Sequence, residues 1–392
     1  MNVIDEGIQN KQKFENVPAF SQEEVKSALD YIIRKIDENL DTFTYQFPAA
    51  ASENNIYPAT ENTGWTTGFW TGMLWLAYEY TGDEKYRKVA EIQCKSFKER
   101  IEKQIDVDHH DLGFLYSLSC VAGYKLTGDE EMKQTALKAA DKLITRYKEK
   151  GRFIQAWGAV DDPNSYRLII DCMLNVPLLY WATEVTGDPK YFNIGQNHAA
   201  TAMSTVIRED ASTYHTYYFD PETGAPRIGK TAQGYSDDSA WARGQAWGIY
   251  GFILSYVYVK EPAYLSSSEK LTNYFLNRLP EDDVCYWDLV FSDGSGQERD
   301  SSAAAIAACG MLEILKNSED AYSSYYKNAT AAILRSLEQN YSTKNTPESN
   351  GILLHAVYGK PQKSGVDECN IWGDYYYMEA LMRLHTDWKL YW

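Results

Sequence analysis

Apolar positions recur at intervals of three and four along most of the chain. In the first such stretch they are Val25, Leu29, Ile32, Ile33 and Ile36. This spacing predicts an amphipathic helix to about Leu40, opened by a capping box of Ser21 and Glu24. After it, two kinds of segment alternate. Segments apolar all round and rich in aromatics are Gly68–Tyr80, Leu112–Leu126 and Leu168–Val185. Each ends in the tripeptide Thr-Gly-Asp, at 81–83, 127–129 and 186–188, and a more polar, amphipathic segment follows. Gly is suited to end one helix in a left-handed turn and Asp to cap the next. Gly82, Gly128 and Gly187 stand 46 and 59 residues apart, the period of stacked helical hairpins.

Two weaker copies follow. Ala240–Val259 is paired with Ala263–Leu279, and Ser301–Leu315 with Ala321–Tyr341, the last opened by Asn317-Ser318-Glu319-Asp320. An apolar helix, Tyr375–Leu384, ends the pattern. Five hairpins, one amphipathic helix before them and one apolar helix after make twelve helices. If the first helix backs the last, the ring closes as six hairpins. Apolar helices form the inner ring and amphipathic ones the outer. The expected fold is all-α, an (α/α)6 barrel over residues 21–392, with residues 1–20 as a loose arm. Strand-like alternation is confined to short pieces such as Thr213–Asp220, whose DPETG continuation reads as a hairpin turn.

In this arrangement the polar-aromatic clusters at the starts of the inner helices converge on one face. They are Asn62–Trp70, Asp108–Asp111, Arg167–Asp171, Ser239–Trp247, Arg299–Ser302 and Asn370–Tyr377, joined by Trp157, His215 and Gln233 from connecting segments. The chain holds 31 Tyr and 11 Trp, many beside Gly, Asp or Asn, and aromatic faces at polar openings suit sugar rings. Free N–H groups at the helix starts favour an anionic ligand on that face.

The net charge of −17, with no basic block, argues against nucleic acid or an anionic membrane surface as partner. No apolar run approaches the length needed to span a bilayer, and the N-terminus shows no apolar leader core. The six cysteines (Cys94, Cys120, Cys172, Cys285, Cys309 and Cys369) are scattered without metal-ligand spacing. They read as reduced core thiols of a cytoplasmic protein, with no zinc site.

Asp171 lies between large apolar residues in LIIDCML. Burial and a nearby second carboxylate raise a carboxyl pKa toward general-acid duty. Asp111 reads equally as a helix cap or a functional carboxylate. Asp300, before two serines, reads as a cap. His110 and His215, taken singly, read as structural histidines. Arg243, within a Trp-rich helix start, needs an anion. The compact His109, His110, Asp108 and Asp111 cluster lacks HxxxH or HxH spacing, so no metal is expected.

Seven motifs carry a resemblance to the unsaturated glucuronyl hydrolases, glycoside hydrolase family 88. They are HHDLGFLYSLS (His109–Ser119), IQAWG (Ile154–Gly158), IIDCMLN (Ile169–Asn175), YHTYYFDPETG (Tyr214–Gly224), ARGQAWGIYGF (Ala242–Phe252), ERDSSA (Glu298–Ala303) and IWGDYYYMEAL (Ile371–Leu381). The match runs from about Phe43 to Trp392. It implies an (α/α)6 barrel that uses no metal or organic cofactor. The implied substrates are lyase-generated glycosaminoglycan oligosaccharides bearing a 4,5-unsaturated glucuronic acid at the non-reducing end. The implied reaction is hydration of that vinyl ether, with Asp171 as general acid and base and Asp111 assisting. Trp65, His110, Trp157, His215, Gln233, Arg243 and Trp247 match the family's sugar-pocket positions. Arg243 and the helix N-termini are the candidates for the substrate carboxylate.

One segment departs from the family. Members favouring sulfated disaccharides carry two serines and a lysine just before GVDE, where this chain has Tyr358-Gly359-Lys360-Pro361-Gln362-Lys363-Ser364. A weaker demand for sulfate is expected. Other readings are an unsaturated rhamnogalacturonyl hydrolase acting on pectin fragments, an inverting hydrolase of saturated sugars, and a non-catalytic carbohydrate-binding toroid. No partner protein or oligomeric state is implied.

Overall fold

The computed structural model describes residues 3–318 and 321–392. The inner ring comprises Thr67–Thr81, Leu112–Thr127 (α-helical but for a π turn at Ser117–Val121), Pro177–Thr186, Ala242–Val259, Ser301–Asn317 and Ile371–His385. The outer ring comprises Gln22–Asn39, Glu84–Glu102, Glu130–Ile144, Pro189–Val206, Pro262–Leu276 and Ser323–Ser336. Ile371–His385 packs on Thr67–Thr81 and carries Gln22–Asn39 on its outer side, so the first helix backs the last and the ring closes. The fold is the (α/α)6 barrel that the helix count predicts.

The Thr-Gly-Asp repeat works as its chemistry requires. Gly82, Gly128 and Gly187 have φ of 69°, 74° and 73°, a conformation costly for residues with a Cβ. Asp83, Asp129 and Asp188 accept from backbone N–H groups two residues on, at 2.8–2.9 Å. The Thr hydroxyl accepts from the Asp N–H at 3.1–3.2 Å and donates back to the carbonyl four residues earlier. In the fourth hairpin Lys260 takes the left-handed position and Glu261 the cap. The Ser21–Glu24 capping box forms at the first helix. The Glu319-Asp320 opening expected for the fifth outer helix lies outside the described residues.

Three expectations are corrected. Residues 3–20, with one short helix at Gln12–Glu15, are docked, not loose. Ile8, Phe14 and Phe20 are buried, Lys13 pairs with Asp283 at 2.9 Å, and Arg278 pairs with Glu6 at 2.6 Å. The helix expected over Leu168–Val185 begins only at Pro177. Proline tolerates a helix's first turn but disfavours helix before it. Upstream, Arg167–Ile169 is a strand and Ile170–Leu174 a 3-10 turn. That strand joins the expected hairpin, Thr216–Phe219 with Pro226–Lys230, in a three-stranded antiparallel sheet. Asp220 ties the hairpin's turn by accepting from Glu222 and Thr223 N–H. A second hairpin, Ala356–Gly359 with Ser364–Glu368, is absent from the sequence reading. All six cysteines are free and buried.

Inner elements approach closely where Gly113 meets the turn at Asn175. A Cβ on Gly113 would lie 2.3 Å from Asn175 Cα and 2.7 Å from its carbonyl oxygen. Asn175 is buried; its Oδ1 accepts from Phe114 N–H at 2.8 Å and its Nδ2 donates to the Asp171 carbonyl at 3.2 Å. This one side chain joins the segments that carry Asp111 and Asp171. Gly113→Ala is expected to destabilise the fold by about 1–3 kcal/mol through overpacking against backbone. The measurement is the urea midpoint, which should fall; an unchanged midpoint would show that the two segments separate without cost.

Candidate active site

Two carboxylates meet below a cavity of about 350 Å³ at the mouth of the barrel. Asp111 occupies the N-cap position of its helix, yet its side chain caps nothing. Instead Oδ2 accepts from Trp157 Nε1 at 3.1 Å, and Oδ1 lies 3.3 Å from His110 Nε2. His109 Nδ1 lies 3.2 Å from Oδ2 and accepts the Asp111 N–H, while its Nε2 donates to the Asp106 carbonyl. Asp171 stands on the 3-10 turn across from it. Its Oδ1 is 3.3 Å from the same His110 Nε2 and has no hydrogen-bond partner among the described residues. Its side chain keeps 13% of its surface, on the cavity wall.

These surroundings push the two acids apart. Burial, and then the Asp111 charge, raise Asp171 well above the ordinary carboxylate range, with Arg243 only partly opposing. Asp111 is also buried, but His110, His109 and Trp157 outweigh that and hold its pKa low. The two shifts run in opposite directions, so a proton shared by this pair favours Asp171 over Asp111. Burial lowers His110 to about 4, so it is neutral at working pH. His215 is lowered to about 3, by burial first and then by Arg243 and Arg167. Its Nδ1 accepts from the Ala232 and Gln233 N–H groups at 3.0 and 3.3 Å, which leaves Nε2 as the protonated nitrogen.

The cavity gathers four of the sequence-selected residues on its lining: Trp157, Asp171, His215 and Gln233. Gln233 also donates to the Tyr358 carbonyl at 2.9 Å. Asp111 and His110 sit directly behind the wall. Trp65 reaches it through Tyr358, donating from Nε1 to the Tyr358 hydroxyl at 2.9 Å. Trp247 is 1% exposed, its ring 5.3 Å from Phe114 in the floor beneath. Arg243 is likewise buried. Its Nη1 meets Asp300 Oδ2 at 3.0 Å and the Val357 carbonyl, and its Nη2 meets the Tyr358 carbonyl at 2.5 Å. The anion that Arg243 needs is therefore Asp300, and the pair holds the 356–368 hairpin in place. Asp300 also caps its helix as expected, accepting from Ala303 N–H and the Ser302 hydroxyl.

The site residues chosen from the sequence lack part of the wall, although the sequence singles out Tyr358–Ser364 as the segment facing a sulfate. Thr216, Tyr218 and Lys230 come from the sheet, and Tyr358, Gly359, Gln362 and Ser364 from the second hairpin. Sheet and hairpin walls, more than helix N-termini, enclose the ligand space. The alternation of Thr216 and Tyr218 was the available signal for the sheet. The second hairpin carries none, because Gly, Pro and Lys interrupt it.

His110, Asp111 and Asp171 bring one ligand atom each within 4.8 Å of one another, the group among the described residues able to hold a metal ion. The donor set is one imidazole and two carboxylates. The same spacing bears on glycosidase geometry. An inverting pair stands roughly 6.5–9.5 Å apart to admit water between its members, and these two share one histidine nitrogen instead.

The glycosyl hydrolase family 88 model matches residues 35–386. The unsaturated chondroitin disaccharide hydrolase of Streptococcus pneumoniae (strain ATCC BAA-255 / R6) is 53% identical over 392 residues, covering 100% of this chain and 99% of that one. The crystal structure of unsaturated glucuronyl hydrolase from Streptococcus agalactiae superposes with a TM-score of 0.98 at 51% identity, covering 100% and 99% of the two chains. An aspartate-to-asparagine mutant of that hydrolase, complexed with dGlcA-GalNAc6S, superposes with a TM-score of 0.91 at 48% identity, again over 100% and 99%. With the barrel, the acid pair and these likenesses in agreement, the chain belongs to glycosyl hydrolase family 88.

Proposed function

We propose that this glycoside hydrolase removes the 4,5-unsaturated glucuronic acid from the non-reducing end of lyase-generated glycosaminoglycan oligosaccharides, chondroitin disaccharides foremost. The observation that carries the mechanism is the split acid pair, with Asp171, its pKa raised, on the cavity wall and Asp111, its pKa held low, behind it. Asp171 donates its proton to carbon 4 of the vinyl ether, and positive charge develops at carbon 5. The carboxylate left behind takes a proton from water as that water adds to carbon 5. The hemiketal so formed opens and releases the remaining sugar. Asp111 assists by its negative charge and by fixing Trp157. Trp157, His215 and Gln233 hold the sugar, while Trp65, Trp247 and Arg243 support the pocket from behind.

The likeness to chondroitin disaccharide hydrolases favours this reading over a pectin-directed relative. An acid of raised pKa on the cavity wall favours it over a non-catalytic toroid. We read residues 21–392 as one catalytic unit. Among the described residues no helix is long and apolar enough to cross a membrane. Six free thiols support a reducing, cytoplasmic setting.

Loss of the ultraviolet absorbance of the conjugated double bond reads the reaction directly. Unsaturated chondroitin disaccharide should lose its absorbance with the protein; an intact disaccharide after prolonged incubation would defeat the proposal. Asp171→Asn should lower kcat roughly 10²–10⁴-fold, the usual contribution of a positioned acid-base group, with substrate binding retained.

The pH dependence follows from the directions of the two shifts. Asp171 is raised, so its donating form persists above the ordinary carboxylate range, and activity should fall as pH rises through its folded pKa. Asp111 is depressed, so its ionised form is lost only in acid. A rate profile flat into strong alkali would remove Asp171 from the proton-donating role. For sulfate, turnover of sulfated and unsulfated unsaturated chondroitin disaccharides should be similar, because Pro361 and Gln362 interrupt the expected serine pattern and Lys360 pairs with Glu298. A large preference for the sulfated substrate would contradict this.

A further inference from the structure

The three-stranded sheet shows alternate side chains to the cavity. Leu168 and Phe219 turn inward and are buried. Arg167, Ile169, Thr216, Tyr218 and Lys230 line the cavity. The register pairs Arg167 with Tyr218, Ile169 with Thr216, and Thr216 with Lys230. Arg167 and Lys230 therefore stand at opposite corners of this wall. Strand spacing and rise place their Cα atoms about 12 Å apart, which is enough to bracket a disaccharide.

The two cations are unusual here in lacking a protein anion. The buried arginines behind the pocket are committed, Arg243 to Asp300 and Arg146 to Asp108. Lys360 at the rim is committed to Glu298. Among the described residues, the side chains of Arg167 and Lys230 make no ion pair or hydrogen bond. The Arg167 guanidinium lies over the Tyr218 ring, 5.6 Å from its centroid. Asp162 feels the Arg167 charge, but only as its weakest influence. Asp171 is the one acidic residue on the cavity lining. In a chain of net charge −17, the pocket wall thus offers two free cations to whatever enters.

We infer that Arg167 and Lys230 form an oxyanion-recognising wall that binds the charged groups of the substrate, the uronate carboxylate or a sulfate on the adjoining sugar. The inference rests on the proposed activity for its substrate, and it takes this duty from Arg243, whose donors are occupied. Arg167 supplies a planar fork suited to two oxygens, and Lys230 a point charge. Both act in binding. A cation beside the reacting carbons would oppose the positive charge that develops at carbon 5, so their effect belongs in KM and not in kcat.

The experiment compares wild type, Arg167→Gln, Lys230→Gln, the double variant and Arg167→Lys on unsulfated unsaturated chondroitin disaccharide and on dGlcA-GalNAc6S. Loss of a charge-assisted hydrogen bond from Arg167→Gln should raise KM roughly tenfold or more, with kcat little changed and partial recovery in Arg167→Lys. An equal rise on both substrates identifies the carboxylate as the bound group; a rise confined to dGlcA-GalNAc6S identifies the sulfate. Unchanged KM on both substrates in the double variant overturns the inference. Inorganic sulfate at fixed ionic strength supplies a readout independent of turnover. It should raise the thermal midpoint of wild type more than that of the double variant, and equal responses also overturn the inference. If wild type consumes neither disaccharide while the sulfate response separates the two proteins, the proposed activity fails and the oxyanion wall stands.

Discussion

Two buried carboxylates held against one histidine nitrogen, with the cost of burial offset on only one of them, are the constraint on which the site depends. Both aspartates are withdrawn from water, and an isolated buried carboxylate is expensive. Asp111 offsets part of that cost by accepting from Trp157 Nε1, and its pKa is held low. Asp171 shares His110 but lacks the Trp157 donor, and the neighbouring charge adds to its burial, so its pKa is raised well above the ordinary carboxylate range with Arg243 only partly opposing. Supplying Asp171 with hydrogen-bond donors would remove the acid. Stripping them from Asp111 would remove the charge that helps to raise the Asp171 pKa.

The barrel exists to hold that imbalance still. Asn175 sets the distance between the two segments, and Gly113 lets them approach. Beneath them Phe114 meets Trp65, Trp247 and Trp392. Trp392 stacks nearly parallel on Tyr376 and donates to Glu379, which also receives Arg383 at 3.0 Å. This column of rings and buried charge fills the barrel axis, so the floor of the site cannot shift without repacking the core. The walls are built differently. They are hairpins, one of them pinned by Arg243 and Asp300, and they decide what enters.

Much of this was legible in the residues. The Thr-Gly-Asp repeat discloses the hairpins because each of its three positions has a separate physical task, and the alternation of apolar and amphipathic segments sorts inner from outer helices. Asp171 stands out because a lone acid in LIIDCML has no local remedy. Where the reading failed, tertiary pairing decided. The Ile-Ile run before Asp171 has the apolar character of a helix, yet Pro177 and the partner strand at 216–219 make it extended. Arg243 announced its need for an anion, but only the fold shows that Asp300, 57 residues on, meets it. The 356–368 hairpin has neither period nor propensity in its favour and is held by contacts from elsewhere.

The central claim is the protonation state of one side chain, and infrared difference spectroscopy addresses it without turnover. At neutral pH the difference between wild type and Asp171→Asn should show loss of the carbonyl stretch of a protonated carboxylic acid. The Asp111→Asn difference should show loss of an ionised carboxylate instead. If the Asp171 difference shows only an ionised carboxylate at neutral pH, this account of the site is wrong.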